Sequence, residues 1–491
     1  MLNSAAHSAA IYPCLYLLVV HDAAYICMYP TYWFINQFLS CFIPTTLETK
    51  LNPLSTIVTG LILSVVYMTG IISTLPFGVY GFVLWNGIQF YRQPFLYISP
   101  ESARQETGPS TRRRRESQSQ WSFATANVCL MPECLSRCNN FSDNISRAKK
   151  ISESIVANQR RALNQHRFIE NGTKNGSRIG NGANVKRSNF GNAVNFPVLD
   201  VLCLQEVLDR RCTGILVNNL KREFPYILYD ARLDSFKDNM FMLNSGLCIA
   251  SRFPIIRAQF RCFPDKIFAC RFASKGVLMC KVLVGENELG QNSVGFIATT
   301  HLQSYQGTDP IHQKQLNSLK TWITDFKQGN LGDDEKLVFD IITGDFNFDN
   351  YSLGDEADFN HSLFDEFTDV PRYKPGQDYD WAVGTERRLH LLWNDEIKTP
   401  EKMKQVLDDP IKRQYYLLDA DIIDQNLQMG FENTSLDSNG EVIPKTTGGK
   451  RRVDYVLFNN SLNLEATAYN VVTQLCQWTD HMSVSLTVRE K

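Results

Sequence analysis

Apolar runs that stop at short polar motifs constrain this chain more than any other feature. The motifs are Thr125-Ala126-Asn127-Val128, Leu204-Gln205-Glu206-Val207, Thr300-His301-Leu302-Gln303, Gly344-Asp345-Phe346-Asn347 and Thr479-Asp480-His481. Beside them lie the runs Val198 to Leu204, Val294 to Ala298, Leu337 to Ile342 and, on the entry side, Met482 to Val488. In a layered sheet fold such strand ends converge on one edge, where reactive groups are presented by the loops. Taken singly, each motif is a solvated strand end or a packed histidine. Together and in this order they point to metal-dependent hydrolysis at phosphorus.

Each motif supplies a part which that chemistry requires. A phosphodiester repels nucleophiles, so the site needs a hard cation, and Mg²⁺ takes one or two carboxylates while keeping several waters. Glu206 is the expected ligand, with Asn127 beside it. Water needs a base, and a carboxylate must hold that base in the right tautomer. His481 is the expected base. Asp480 either bonds that imidazole or faces the metal, since neighbours on a strand point to opposite faces. Asn347 and His301 would donate to the non-bridging oxygens, and Asp345 would orient the water or assist the leaving oxygen.

Composition narrows the field. The 491 residues carry 50 Lys+Arg against 51 Asp+Glu, a net charge of -1, which counts against a general nucleic-acid binder. The 13 cysteines include no C-x-x-C pair, and only Cys129, Cys134 and Cys138 cluster, without a fourth zinc ligand at a finger spacing. Free thiols in a reducing compartment fit this usage, which places the catalytic part in the cytosol and leaves Asn171-Gly172-Thr173 unmodified. With no P-loop, G-x-G-x-x-G or G-x-S-x-G, nucleotide-cradle and serine-hydrolase chemistry lose support.

The N-terminus is of another kind. No charge falls between Ala23 and Leu47, or between Leu51 and Tyr91. A spanning helix needs about 20 apolar residues, so membrane association is expected. Pro30, Pro44, Pro53 and Pro76 interrupt these stretches, and Met1 to Ala10 lacks the basic region of a cleaved signal peptide. Arg112 to Arg115 lie just beyond, and a hairpin entering and leaving the cytosolic leaflet is the simplest topology. A buried helical subdomain is the competing reading. The arginines would attract anionic lipid such as phosphatidylserine.

The expected division is a hydrophobic membrane-associated domain at 1–100, a basic linker at 101–120 and a catalytic domain at 121–491. A flexible insertion is expected at about 139–195, with a helix near Ala148 to Leu163 giving way to Asn171-Gly172, Asn175-Gly176 and Asn181-Gly182. In a second insertion, Asn394 to Glu441, the pattern of Met403, Val406 and Leu407 predicts one amphipathic helix.

The five motifs, with Gly246-Leu247-Cys248-Ile249-Ala250-Ser251-Arg252-Phe253-Pro254 and Arg452-Val453-Asp454-Tyr455-Val456-Leu457, resemble the endonuclease/exonuclease/phosphatase (DNase I-like) superfamily. Phe42-Ile43-Pro44-Thr45-Thr46, Leu75-Pro76-Phe77-Gly78, Phe123-Ala124-Thr125-Ala126-Asn127-Val128-Cys129-Leu130-Met131-Pro132 and Ala273-Ser274-Lys275-Gly276 narrow the resemblance to neutral sphingomyelinases with a hydrophobic N-terminus, over nearly the whole chain except about 150–195. The resemblance implies a four-layered α/β sandwich behind a hydrophobic helical domain. It implies Mg²⁺ held through Glu206 with Asn127 close by, His481 as base supported by Asp480, and Asp345, Asn347 and His301 around the phosphate. Lys275 matches a lysine that the family pairs with an aspartate five residues earlier, where this chain has Cys270. It would meet phosphate or be a plain surface lysine.

The implied reaction is hydrolysis of sphingomyelin to ceramide and phosphocholine at the cytosolic face of a membrane. Acidic phospholipid would activate it, and the expected compartments are Golgi or inner plasma membrane, or endoplasmic reticulum or mitochondria. The alternatives are another phosphodiesterase of the superfamily, on nucleic acid or phosphoinositide, and a catalytically silent membrane scaffold.

Overall fold

The computed structural model describes residues 11–100, 119–174, 189–233, 243–287, 289–305, 309–423, 437 and 443–491. The basic linker, including Arg112 to Arg115, and the Asn175-Gly176 and Asn181-Gly182 pairs lie outside the described residues. The strands are β1 (Leu96–Ile98), β2 (Gln120–Leu130), β3 (Phe190–Ala193), β4 (Val201–Val207), β5 (Tyr226–Tyr229), β6 (Cys248–Ser251), β7 (Ile255–Cys262), β8 (Gly276–Glu286), β9 (Asn292–His301), β10 (Glu335–Asp345), β11 (Phe367–Asp369), β12 (Arg372–Lys374), β13 (Gln377–Asp378), β14 (Asp454–Asn459), β15 (Leu464–Val472) and β16 (Ser483–Glu490). The helices are α1 (Leu15–Ser40), α2 (Thr46–Leu51), α3 (Pro53–Gln89), α4 (Glu133–Cys138), α5 (Asn144–Lys174), α6 (Arg210–Leu220), α7 (Ile311–Asn330), α8 (Glu356–Phe359), α9 (Leu363–Glu366), α10 (Pro400–Asp408) and α11 (Pro410–Tyr416).

Two sheets face one another. One has the order β1-β5-β6-β4-β2-β16-β15-β3, the other β11-β14-β10-β9-β8-β7. Because side chains alternate along a strand, each sheet serves two cores. Phe123, Val201 and Cys203 point inward to meet Leu278, Phe339 and Ile341 of the opposite sheet. Ala124, Leu202 and Leu204 point outward beneath Ile151 and Ile155 of α5 and Leu216 of α6. On the far side Val277, Met279 and Ile342 pack under Leu316, Leu319 and Ile323 of α7. The result is the expected four-layered α/β sandwich.

Three boundaries differ from the sequence expectation. Residues 144–174 form one helix, longer at both ends than the one expected near Ala148 to Leu163, and its Ala148, Ile151 and Ile155 recur at helical spacing and bury on the β2–β4 face. Asn171 and Gly172 fall within it, and β3 beyond it pairs with β15. Leu96–Ile98, at the end of the expected hydrophobic domain, joins the large sheet through β5. Among its described residues the 394–441 insertion holds two helices rather than one, since Pro410 starts a second at its first turn, with Met403, Val406 and Leu407 buried.

The N-terminal domain is an antiparallel pair, α1 and α3. They approach closely at Gly81, where a Cβ would stand 2.6 Å from the Ala24 carbonyl oxygen. Among the described helices α3 alone is long and apolar enough to cross a bilayer, and its outward residues such as Leu54, Ile57, Leu61, Val65 and Ile72 are exposed. Both ends of the pair are tied to the sandwich. At one end Asn36 accepts from the Cys134 amide at 2.9 Å, Thr46 donates to Asn140 at 2.8 Å and Glu48 pairs with Arg137 at 2.9 Å. At the other, Arg232 stacks on Trp85 at 4.4 Å and Arg92 pairs with Asp230 at 2.5 Å.

Candidate active site

One edge of the sandwich collects the motifs. β2, β4, β9 and β10 end there, and the antiparallel β14 and β16 begin there. Register places Asp345 opposite His301 on one side and Asp454 on the other. Below the site Gln205 fastens the two sheets together, accepting from Thr125 at 3.1 Å and donating to Thr299 at 3.1 Å.

Two polar contacts cross between the sheets at this edge. Asn127 Nδ2 donates to Asp345 Oδ2 at 3.0 Å, and His481 Nδ1 meets Asp454 Oδ2 at 2.9 Å. His481 Nε2 is then left facing Asp345 Oδ2 at 3.9 Å, with His301 Nε2 at 3.5 Å from the same oxygen. Asn347, held at φ 57, returns its backbone N–H to Asp345 Oδ1 at 3.0 Å. Its side chain and the Lys275 ammonium both donate to the Leu302 carbonyl, at 3.2 and 2.6 Å. Lys275 is therefore a buried lysine beneath the site, not a surface one.

The support expected from Asp480 for His481 is not what the geometry shows. Asp454 holds the ring, while Asp480 accepts from Asn139 Nδ2 at 2.8 Å and raises the pKa of Glu206 through its charge. Asp480 thus faces the carboxylate side of the site, the second of the two orientations the sequence allowed. Asp454 lay inside a quoted motif, Arg452-Val453-Asp454-Tyr455-Val456-Leu457, but its pairing with His481 depends on register between distant strands. Arg147 is another residue that motif reading passed over. From α5 it donates to the Val128 carbonyl at 3.2 Å and the Trp478 carbonyl at 2.6 Å, so it pins the chain next to both Asn127 and Asp480.

Electrostatics separates the roles. Burial lowers the His481 pKa, but Asp454 and then Asp345 outweigh it, and the imidazole is raised well above its ordinary value. His301 goes the other way, lowered well below by burial and by the Lys275 and His481 charges, so it is neutral. Burial, with the Asp480 charge, pushes Glu206 up to about 7, and burial pushes Asp345 up to about 6. Carboxylates held so close and so dry call for a cation.

The residues present fit one. Glu206 sits at φ 59 on the end of β4, and its Oε2 is buried with no hydrogen-bond partner. Such an orphaned acceptor costs free energy unless something positive meets it. The donor set is oxygen-rich, which suits a hard divalent ion. Gly246 closes the space behind Glu206: at φ 71, a Cβ there would lie 3.0 Å from the Glu206 backbone nitrogen. The ligand atoms of Asp345, Asp454 and His481 also lie within 4.8 Å of one another. The 2.9 Å contact engages His481 Nδ1 with Asp454, which favours a proton relay at that trio.

The two-sheet sandwich with this convergent edge agrees with the architecture that the sequence resemblance implied. The family description "Neutral sphingomyelinase N-terminal transmembrane region" matches residues 16–91. Sphingomyelin phosphodiesterase 5 of Danio rerio is 29% identical, aligned over 95% of this chain and 95% of its own. Sphingomyelin phosphodiesterase 3 of Mus musculus is 26% identical over 96% of each. A crystal structure of sphingomyelinase C from Streptomyces griseocarneus shares 15% identity over 75% of this chain and 99% of that one, at a TM-score of 0.40. The N-terminal family match and the two sphingomyelin phosphodiesterases bear out the resemblance to neutral sphingomyelinases with a hydrophobic N-terminus.

Proposed function

We propose that this protein is a sphingomyelin phosphodiesterase, releasing ceramide and phosphocholine with Mg²⁺ at the cytosolic face of a membrane. The observation that carries the chemistry is the His481–Asp454 contact, which turns Nε2 toward the Asp345 carboxylate in a buried pocket edge. The end-to-end similarity to sphingomyelin phosphodiesterases supports the substrate.

In this reading Asp454 fixes the tautomer of His481, whose Nε2 takes the proton of the attacking water. Asp345, oriented by Asn127 and by the Asn347 amide, aligns that water for in-line attack on phosphorus. His301 and Asn347 donate to the non-bridging oxygens, and Lys275 holds the Leu302 backbone from which the His301 loop hangs. Glu206 and Asn127 would hold the divalent ion, which supplies charge stabilisation to phosphoryl and leaving oxygens. The bond between phosphorus and the ceramide oxygen breaks. The apolar α3 keeps the enzyme with its insoluble substrate.

The test is Mg²⁺-dependent phosphocholine release from sphingomyelin in mixed micelles containing phosphatidylserine, comparing wild type with His481→Ala. Release by the wild type alone establishes reaction and base together. No release from folded, Mg²⁺-bound wild type overturns the assignment and turns the search to other phosphodiesters.

A further inference from the structure

We propose that the 3-10 turn Phe268–Phe272 inserts into the bilayer interface, as a second membrane contact made by the catalytic sandwich itself at the mouth of its site. The inference rests on the proposed membrane-bound substrate and names the element that meets the membrane around it.

The turn presents side chains that water does not favour. Phe268 is 61% exposed and Phe272 56%, and the exposed Arg271 stands between them. Aromatic rings flanking a basic residue suit the boundary between headgroups and acyl chains, where the ring is buried and the charge stays wet. Phe268 also holds φ 47, a left-handed conformation that a bulky residue adopts only under constraint. The surrounding chain supplies it. The Gln303 side chain accepts from the Ile267 amide and donates to the Ile267 carbonyl, while Arg271 caps the Lys266 carbonyl. The backbone thus holds the ring outward, packed on Tyr305 at 5.3 Å between ring centres and otherwise open to solvent.

Position says what covers it. Immediately after the turn, Ala273 and Ser274 bond to Leu243 and Leu233, and Leu233 follows Arg232, which stacks on Trp85 in the last turns of α3. Leu233 is itself exposed, so the apolar ridge continues toward the helix whose outer face matches a membrane region. On its other flank the turn touches the site: Gln303 belongs to the His301 loop, and Lys275 is three residues past Phe272. A bilayer that covers α3 therefore has the Phe268–Phe272 ridge at its border, with the catalytic edge directly behind. A lipid whose scissile bond lies at headgroup depth would reach the site without leaving the leaflet.

The experiment uses the full chain in vesicles of phosphatidylcholine, phosphatidylserine and sphingomyelin. Phe268→Trp is compared with wild type for quenching by lipids brominated along the acyl chain. Quenching of the added emission is expected; an added emission untouched by brominated lipid overturns the proposal. The Phe268→Ser/Phe272→Ser double variant is then assayed on vesicle sphingomyelin and on a water-soluble phosphocholine diester. A fall of roughly tenfold on vesicles with the soluble rate unchanged is expected, and equal vesicle rates overturn it. Quenching of the Phe268→Trp emission, in a protein whose wild type releases no phosphocholine, would sink the function reading while leaving the membrane contact standing.

Discussion

At the scale of single residues, the relation between Asp454 and His481 decides most of the chemistry. An uncharged amide at 454 keeps the shape and a hydrogen bond but reverses which ring nitrogen carries the proton. Asp454→Asn should therefore lower kcat on the order of 10³-fold with KM little changed, and steady-state kinetics on a folded variant checks it. Asp480→Asn, by contrast, should disturb Mg²⁺ dependence more than the pH profile, because its charge acts on Glu206 second only to burial, whereas on His481 it ranks behind Asp454 and Asp345. Glu206→Gln should abolish any rise in melting temperature on adding Mg²⁺, a rise that in the wild type would reflect about 2.7 kcal/mol at a hundred times Kd. A scan of the two proteins with and without Mg²⁺ decides this, and an undiminished shift in the variant would remove Glu206 from the metal site. The motifs exposed these residues because catalytic groups cap apolar strands. Asp454 escaped because nothing local marks it. It reaches His481 only once β14 lies antiparallel to β10, with Asp454 opposite Asp345, and that register is a property of residues more than a hundred positions apart.

Secondary-structure elements explain why the site is held so tightly and where sequence reading stopped. Strands were legible as apolar runs that stop at polar motifs, and the amphipathic face around Met403 as a helix. The helix expected near Ala148 to Leu163 is present but runs longer, since Asn171-Gly172, which favours a turn locally, lies within α5. The loop after β9 is braced by α7. His312 contacts Asp358 at 3.0 Å and the Gln303 carbonyl at 2.6 Å. Burial would lower its pKa, but the Asp358 contact and charge raise it above the ordinary 6.5. A raised folded-state pKa means stabilisation that is full below about pH 6 and lost as pH climbs through the folded value. The stability cost of His312→Asn should therefore shrink as pH rises from about 6 through the folded-state value, in denaturant titrations. Gly246 makes the corresponding case in the β5–β6 connection. Gly246→Ala forces a side chain into a left-handed backbone against Glu206, and should cost about 1–3 kcal/mol together with Mg²⁺ affinity.

For the whole molecule, the decisive fact is that both ends of the α1–α3 pair are fastened to one catalytic sandwich. The Asn36, Thr46 and Glu48 contacts lie at one end, and the Trp85 and Arg92 contacts at the other. A 37-residue helix would reach roughly 55 Å at 1.5 Å per residue, enough to cross a bilayer. Were it to cross, its two ends would face opposite compartments, and one set of those contacts would have to break. Kept intact, they hold the pair along the sandwich with the outer face of α3 in the leaflet, which is the hairpin topology expected from the sequence. The same contacts run close to catalysis: Asn140, which bonds Thr46, adjoins Asn139, which bonds Asp480, and Asp230, which pairs with Arg92, accepts from Asn244 beside Gly246. The outcome is measurable in sealed vesicles. Single-cysteine proteins retaining Cys14, or carrying Phe42→Cys, in a background with the other accessible thiols replaced, should both react with a membrane-impermeant maleimide added from the side of the catalytic domain. Reaction of one position only from the opposite side would show α3 crossing the bilayer, and the clamp at that end would then be open in the membrane.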